Sequence, residues 1–279
     1  MGASVTSFTG LQNLTNIQQF RADWNGLTSI DLSGLSSLNF VDISDNDIPG
    51  SGTNSLASVN LSGCTSLQTL YLDDNDFSAG FPDLSDCTSL TYIDFDQCGL
   101  VGSVDITNLP SLNGADFSGN TALTEILISR TQPLGDNSQE ILFNNCALTQ
   151  TAVDNILLEL ASGSVSNGYV QIDQGTNAAP GQVGRDSLFI LNGRGWTFDV
   201  ETGYHTMFTM AYEATSGSVC ASANLGSYYI VSGSNLQVGN RLFQNSDAWQ
   251  PVVNGFYATG SFYYEVSGSG LIVATGSCP

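Results

Sequence analysis

The residues best suited to chemistry in this chain are aspartates interleaved with aromatic rings: Phe40, Asp42, Tyr71, Asp73, Tyr92, Asp94, Asp96 and Asp116. An ionised carboxylate only accepts hydrogen bonds, while a ring offers a flat apolar face. Rings beside acceptors are the mixture a sugar-binding surface uses. Carboxylates stacked in a row cost stability unless cations or ligand donors answer them. A second acidic group, Asp45, Asp47, Asp74 and Asp76, lies in the segments "SDNDIPGSG" and "LDDNDFSAG". It could hold a calcium ion between neighbouring segments, although the Gly and terminal Glu spacing of an EF-hand is missing. No other cofactor is expected.

Other chemistries lack their parts. The single histidine, His205, would have to serve any Ser-His-Asp relay alone, and no G-x-S-x-G context appears. All five cations are arginines (Arg21, Arg130, Arg185, Arg194, Arg241), so a phosphate-binding loop with its lysine cannot be built. Carboxylate pairs leave glycoside hydrolysis open by composition. That reaction needs a buried acid with a raised pKa, and aspartates on an open sheet are poorly placed for it. The expectation is a protein that is not an enzyme.

Five basic against 26 acidic residues give a net charge of −21. Such a surface repels nucleic acid and anionic lipid; for the charge alone, solubility is the plain explanation. Apolar residues make up 41%, enough for a core, and no apolar run approaches a membrane span. The opening "MGASVTSFTG" has neither a basic nor an apolar segment and is not expected to be a signal peptide.

The elements that must position the acidic and aromatic residues come from a repeat. Leu38, Val41, Ile43, Asn46 and Ile48 share the spacing of Leu67, Leu70, Leu72, Asn75 and Phe77. Leu90, Ile93, Phe95, Cys98 and Leu100 follow, then Leu112, Ala115, Phe117 and Asn120, then Ile141, Phe143, Cys146 and Leu148. A looser first copy uses Ile17, Phe20, Ala22, Asn25 and Leu27, and the last has Val170 and Ile172. The Asn/Cys slot falls at 25, 46, 75, 98, 120 and 146, in steps of 21, 29, 23, 22 and 26.

This skeleton resembles the leucine-rich repeat over about residues 10 to 178. The resemblance implies one short parallel strand per coil and a buried Asn or Cys satisfying backbone groups of the next coil. "SIDLSGLSSL", "SVNLSGCTSL" and "SVDITNLPSL" align without gaps and predict a second short strand on the far side of the coil. "SFTGLQNL" aligns with "DLSGLSSL", leaving almost no room for an N-terminal cap.

Val153, Ile156, Leu157 and Leu160 mark one face of a helix, which Thr151 and Asp154 would open as a capping box. A second helix is expected over about 182–192 with Gly193 as its stop. Trp196 and Phe198 would then close the core. The combination "AVDNILLEL…SNGYVQID…NAAP…LNGRGWTF" resembles the terminal segment of leucine-rich-repeat proteins encoded by bacteriophages and some bacteria. From about residue 203, short apolar-aromatic runs alternate with Gly, Ser and Asn turns, predicting a small all-β module of about five strands. Its order resembles C-terminal modules of phage virion proteins. The expected fold is thus an α/β solenoid of parallel strands with few helices over 1–202 (cap at about 149–202), followed by a small β-rich module over 203–279.

Of the six cysteines, Cys98 and Cys146 occupy the ladder slot, and Cys64 and Cys87 share one position in "SGCTSL" and "SDCTSL". Buried thiols are the main expectation for these four, with a Cys64–Cys87 bond as the alternative. Cys220 and Cys278 bracket the β-module and are expected to form a disulfide, as suits a particle outside the cell.

Strand alternation assigns the sides. If Leu70 and Leu72 point inward, Thr69, Tyr71 and Asp73 point out. The neighbours then present Phe40, Asp42 and Ser44; Tyr92, Asp94 and Asp96; Gly114, Asp116 and Ser118; and Glu125, Leu127 and Ser129. The first coil offers Gln19, Arg21 and Asp23. The resemblances imply a virion protein (tail fibre, head fibre or capsid decoration), facing outward and binding a host glycan or protein receptor. Its partners would be other virion subunits, as a homotrimer if it forms a fibre, with no nucleic acid and no membrane insertion. The alternatives are a secreted or surface bacterial adhesin and a purely structural virion subunit.

Overall fold

A computed structural model describes residues 5–46, 56–129 and 140–200, and beyond them the strands within 206–277. The chain forms two compact units, Met1–Glu201 and Thr202–Pro279.

The first unit is built from strands of mostly three residues. In chain order these are β1 (Gln19–Arg21), β2 (Ser29–Asp31), β3 (Phe40–Asp42), β4 (Ser58–Asn60), β5 (Thr69–Tyr71) and β6 (Tyr92–Asp94). They continue with β7 (Val101–Asp105), β8 (Gly114–Asp116), β9 (Ala122–Leu127), β10 (Ile141–Leu142), β11 (Tyr169–Ile172) and β12 (Thr197–Val200). Two α-helices, α1 (Gln150–Ser162) and α2 (Gln182–Gly193), and a 3-10 turn at Leu11–Asn13 complete its described elements.

Eight strands form one parallel sheet in the order β1-β3-β5-β6-β8-β10-β11-β12. The middle residue of β1, β3, β5 and β6 (Phe20, Val41, Leu70, Ile93) is buried between two more open neighbours, as a sheet covered on one face requires. On the far side of the coils β2 pairs with β4 and β7 with β9, again in parallel. Mostly parallel strands with two helices make a solenoid-like arrangement consistent with leucine-rich repeats. Inside, Phe77, Phe95, Phe117 and Phe143 pass ring contacts from coil to coil at 5.8, 5.6 and 6.0 Å.

The Asn/Cys slot explains how the coils lock. Asn75 Nδ2 donates to Leu72 O in its own coil at 2.7 Å and to Ile43 O at 2.9 Å. Asn120 donates to Phe95 O at 2.9 Å and accepts from the backbone N–H groups of Cys98 and Leu100. Cys98 Sγ donates to Leu72 O at 3.0 Å, and Cys146 Sγ to Phe117 O at 3.2 Å. The bonds between coils run to the preceding coil, not to the following one as expected. Asn177 extends the series, donating to Phe143 O and accepting from Leu148 N–H. It escaped the pattern because it stands five residues after Ile172, where Asn75 stands three after Leu72.

Four further expectations change. Glu125, Leu127 and Ser129 do not join the inner sheet: β9 pairs with β7 on the outer side, and β10 takes its place beside β8. The cap of α1 is Thr149, which accepts from Ala152 N–H at 3.2 Å, rather than Thr151. Asp154 instead accepts from Gly181 and Gly184 N–H at 2.7 and 3.0 Å, opening α2. Gly193 belongs to α2, and the left-handed turn after it is Gly195, at φ 79. Trp196 and Phe198 are buried at this end of the core. Cys64, Cys87, Cys98 and Cys146 are all buried free thiols, which sets aside the Cys64–Cys87 bond.

In the second unit the described strands are β13 (Thr206–Glu213), β14 (Leu225–Ile230), β15 (Gly255–Thr259), β16 (Phe262–Val266) and β17 (Ile272–Ser277). They form an antiparallel sheet in the order β14-β13-β15-β16-β17, with Tyr257, Tyr264, Val266 and Ile272 buried. Cys220, Cys278 and His205 lie outside the described residues.

Candidate functional site

The strand register brings the outward side chains into rows about 4.8 Å apart. One row runs Arg21, Asp42, Tyr71, Asp94, Asp116, and its neighbour runs Gln19, Phe40, Thr69, Tyr92, Gly114. Ser44, Asp73, Asp96 and Ser118 follow two residues after the first row. Tyr71 lies in a different row from Phe40 and Tyr92, so the three rings meet diagonally. Their centres are 5.8 and 5.6 Å apart and their planes tilt by 50° and 49°. They form a zigzag line rather than the flat surface expected from the sequence.

An open cavity of about 440 Å³ lies over this line, walled by Arg21, Phe40, Asp42, Ser44, Tyr71, Asp73 and Asp94. Arg21 Nη1 donates to Asp42 Oδ2 at 3.2 Å, and its guanidinium carbon sits 4.3 Å from the Phe40 ring centre. Ser44 Oγ donates to Asp42 Oδ1 at 2.8 Å. Tyr92 supports the wall through its ring contact with Tyr71 and reaches Asp94 Oδ2 with its hydroxyl at 3.5 Å. Asp96 N–H donates to Asp94 Oδ1 at 3.1 Å. Asp116 accepts from the Ser118 hydroxyl and N–H, beside Asp94 in the row but outside the cavity wall.

Burial dominates the electrostatics, local hydrogen bonds partly offset it, and the charges of neighbouring aspartates add to it at Asp73, Asp94 and Asp96. Loss of solvent, followed by the charges of Asp116, Asp73 and Asp96, pushes Asp94 up to about 7. Burial, with Asp45, Asp74 and Asp42 nearby, pushes Asp73 up to about 6. Asp96 and Asp116 are raised by burial too, partly offset by Gln97 and by Ser118. Burial also raises the Tyr71 and Tyr92 phenols. A carboxyl with a raised pKa therefore exists on this open sheet, contrary to the premise drawn from the sequence. Asp94 is able to exchange a proton near neutral pH.

Of the proposed calcium ligands, Asp45 and Asp74 come together with Asp73, each offering an oxygen within 4.8 Å of the others. Asp76 is turned to its own loop, where it accepts from Ser78 N–H at 3.1 Å. Asp47 lies outside the described residues. Oxygen donors of this kind suit a hard cation. Arg21 and Ser44 are the wall residues that the sequence did not single out as a site. Strand alternation, which put both of them outward, was their only signal.

No family model matches the chain, and no curated protein does. Among solved structures the chain is similar to the functional domain of InlJ from Listeria monocytogenes, which is described as including a cysteine ladder. The identity is 15%, with 99% of this chain and 74% of that chain covered, at a TM-score of 0.25. The solenoid assignment rests on the strand register and the Asn/Cys ladder of this chain itself.

Proposed function

We propose that this is a non-enzymatic recognition protein whose eight-stranded sheet presents the Phe40–Tyr71–Tyr92 line and its carboxylates to a host-surface receptor or glycan. The observation that carries this reading is the cavity in which Tyr71 stands between Asp42 and Asp94 in one row. A solvated sheet with no ligand gains nothing from half-burying aspartates against rings and against each other. The proposed setting is a virion, as a tail fibre, head fibre or capsid decoration, with residues 203–279 joining other virion subunits. The sequence resemblance of 149–202 to repeat proteins encoded by bacteriophages and some bacteria supports that setting. The lone histidine and the absence of lysine support a role without catalysis. No described helix is long and apolar enough to cross a membrane.

The test is binding of the full chain to a glycan array and to intact bacterial cells of several species, with and without calcium. The expected result is retention by wild type that is lost when Asp42, Tyr71 and Asp94 are replaced together by alanine. Equal retention by that variant would sink the reading. Release of cleaved glycan from the array would overturn its non-enzymatic part.

A further inference from the structure

We infer that the open face of the eight-stranded sheet docks a basic, arginine-presenting segment of a protein partner; this rests on the recognition role proposed above and names the partner's chemistry. The chain supplies one example of the contact itself. Arg21 lies 4.3 Å from the centre of the Phe40 ring while its Nη1 reaches Asp42 at 3.2 Å. A planar cation on a ring, with its fork turned to a carboxylate, is how arginine is held at interfaces.

The ring-and-acid pair then recurs. Phe40–Val41–Asp42 of β3 becomes Tyr92–Ile93–Asp94 in β6, with the ring and the acid at the same places in the two rows. On the strand before β6, the place that Arg21 fills before β3 is held by Tyr71. Among the described residues, the second pair thus has its ring and its carboxylate without an arginine. The cavity wall takes in the first pair and Asp94 of the second, and sets three carboxylates, Asp42, Asp73 and Asp94, against the guanidinium of Arg21. Charge complementarity therefore calls for a cation, and the net charge of −21 steers one in. The ring tilts of 50° and 49° deny a sugar one continuous platform. A guanidinium needs only one ring face and one acid.

Protonation supports the same assignment. The groups facing Asp94 are Tyr71 and Asp73 from the β5 segment, Asp116 from β8, and Tyr92 and Asp96 from its own segment, with Asp42 and Arg21 beyond Tyr71. Burial and these negative neighbours hold Asp94 at about 7. An arriving cation favours the ionised forms and releases protons, so affinity rises from pH 5 to pH 8.

The experiment titrates the full chain at physiological salt with the peptide acetyl-Gly-Arg-Gly-Arg-Gly-amide and with its citrulline analogue, which keeps the shape and loses the charge. Asp94→Asn is expected to weaken the arginine peptide about 5- to 10-fold, and Tyr71→Leu about 3-fold. Asp105→Asn, an equal charge change on the outer strand β7, is expected to cost less than about 1.5-fold, as a distant screened charge should. The citrulline peptide should not bind. Equal losses for Asp105→Asn and Asp94→Asn, or equal binding of the citrulline peptide, would overturn the inference. The citrulline comparison on wild type decides the matter even where a variant fails to fold. Neutral glycans bound through Tyr71 and Asp94, with no peptide binding, would leave the recognition role standing and end this inference. Binding of neither would end both.

Discussion

Asp105 and Asp116 make the same local bonds and end with opposite electrostatics. Asp105, the last residue of outer strand β7, accepts from the N–H and hydroxyl of Thr107 two residues on, and these bonds hold its carboxyl below the usual range. Asp116, on the inner sheet, accepts from the N–H and hydroxyl of Ser118 two residues on, yet its carboxyl is raised. Asp31 with Ser33 and Asp83 with Ser85 behave as Asp105 does, while Asp73, Asp94 and Asp96 behave as Asp116 does. The local motif is therefore not decisive. At Asp116 loss of solvent on the inner sheet, where strands lie about 4.8 Å apart, outweighs two good hydrogen bonds.

The most severe way to break the comparison is to remove the stack beneath both faces. Asn120→Ala withdraws the acceptor used by Cys98 and Leu100 N–H and the donor that serves Phe95 O. It is expected to cost about 3 kcal/mol, since buried backbone groups lose their partners. Urea unfolding of the full chain followed by circular dichroism measures it.

A smaller effect separates the inner face. Asp94 binds its proton more tightly folded than unfolded, so the folded state gains stability below neutral pH and loses it as pH rises from 3.8 toward about 7. Asp94→Asn should flatten that slope and stabilise the protein at pH 8 by ~1–2 kcal/mol, a figure discounted for the solvent that reaches the open face. A variant losing stability at pH 8 would contradict the assignment.

The smallest effect belongs to the outer strands. Asp31 and Asp105 are lowered, so their contribution is present above pH 4 and fades as pH falls below it. Asn60 already fills the equivalent place, accepting from Ser62 N–H at 3.1 Å. Asp105→Asn should therefore change stability by less than ~0.5 kcal/mol at pH 7, as thermal unfolding can show.

Much of this comparison was legible in the sequence. The spacing of Leu70, Leu72 and Asn75 fixes an inward pair and a ladder residue, and alternation then puts Tyr71 and Asp73 outward. Alternation says nothing of which sheet a strand joins, so Glu125 and Leu127 fitted the inner face equally well and went to the outer one. Asn177 was hidden by two extra residues before it. The tilt of the rings and the raised pKa of Asp94 depend on which coil lies next to which, a property of register that no single repeat displays. The gathering of Asp73 with Asp45 and Asp74 depends on it too.

The measurement that bears most directly on the separation of the two faces is a carbon-detected NMR titration of the aspartate carboxyls in the full chain. The separation predicts Asp94 titrating near 7 and Asp73 near 6, with Asp31, Asp83 and Asp105 below the usual carboxylate range. All of them titrating together in one narrow band near 4 would contradict it.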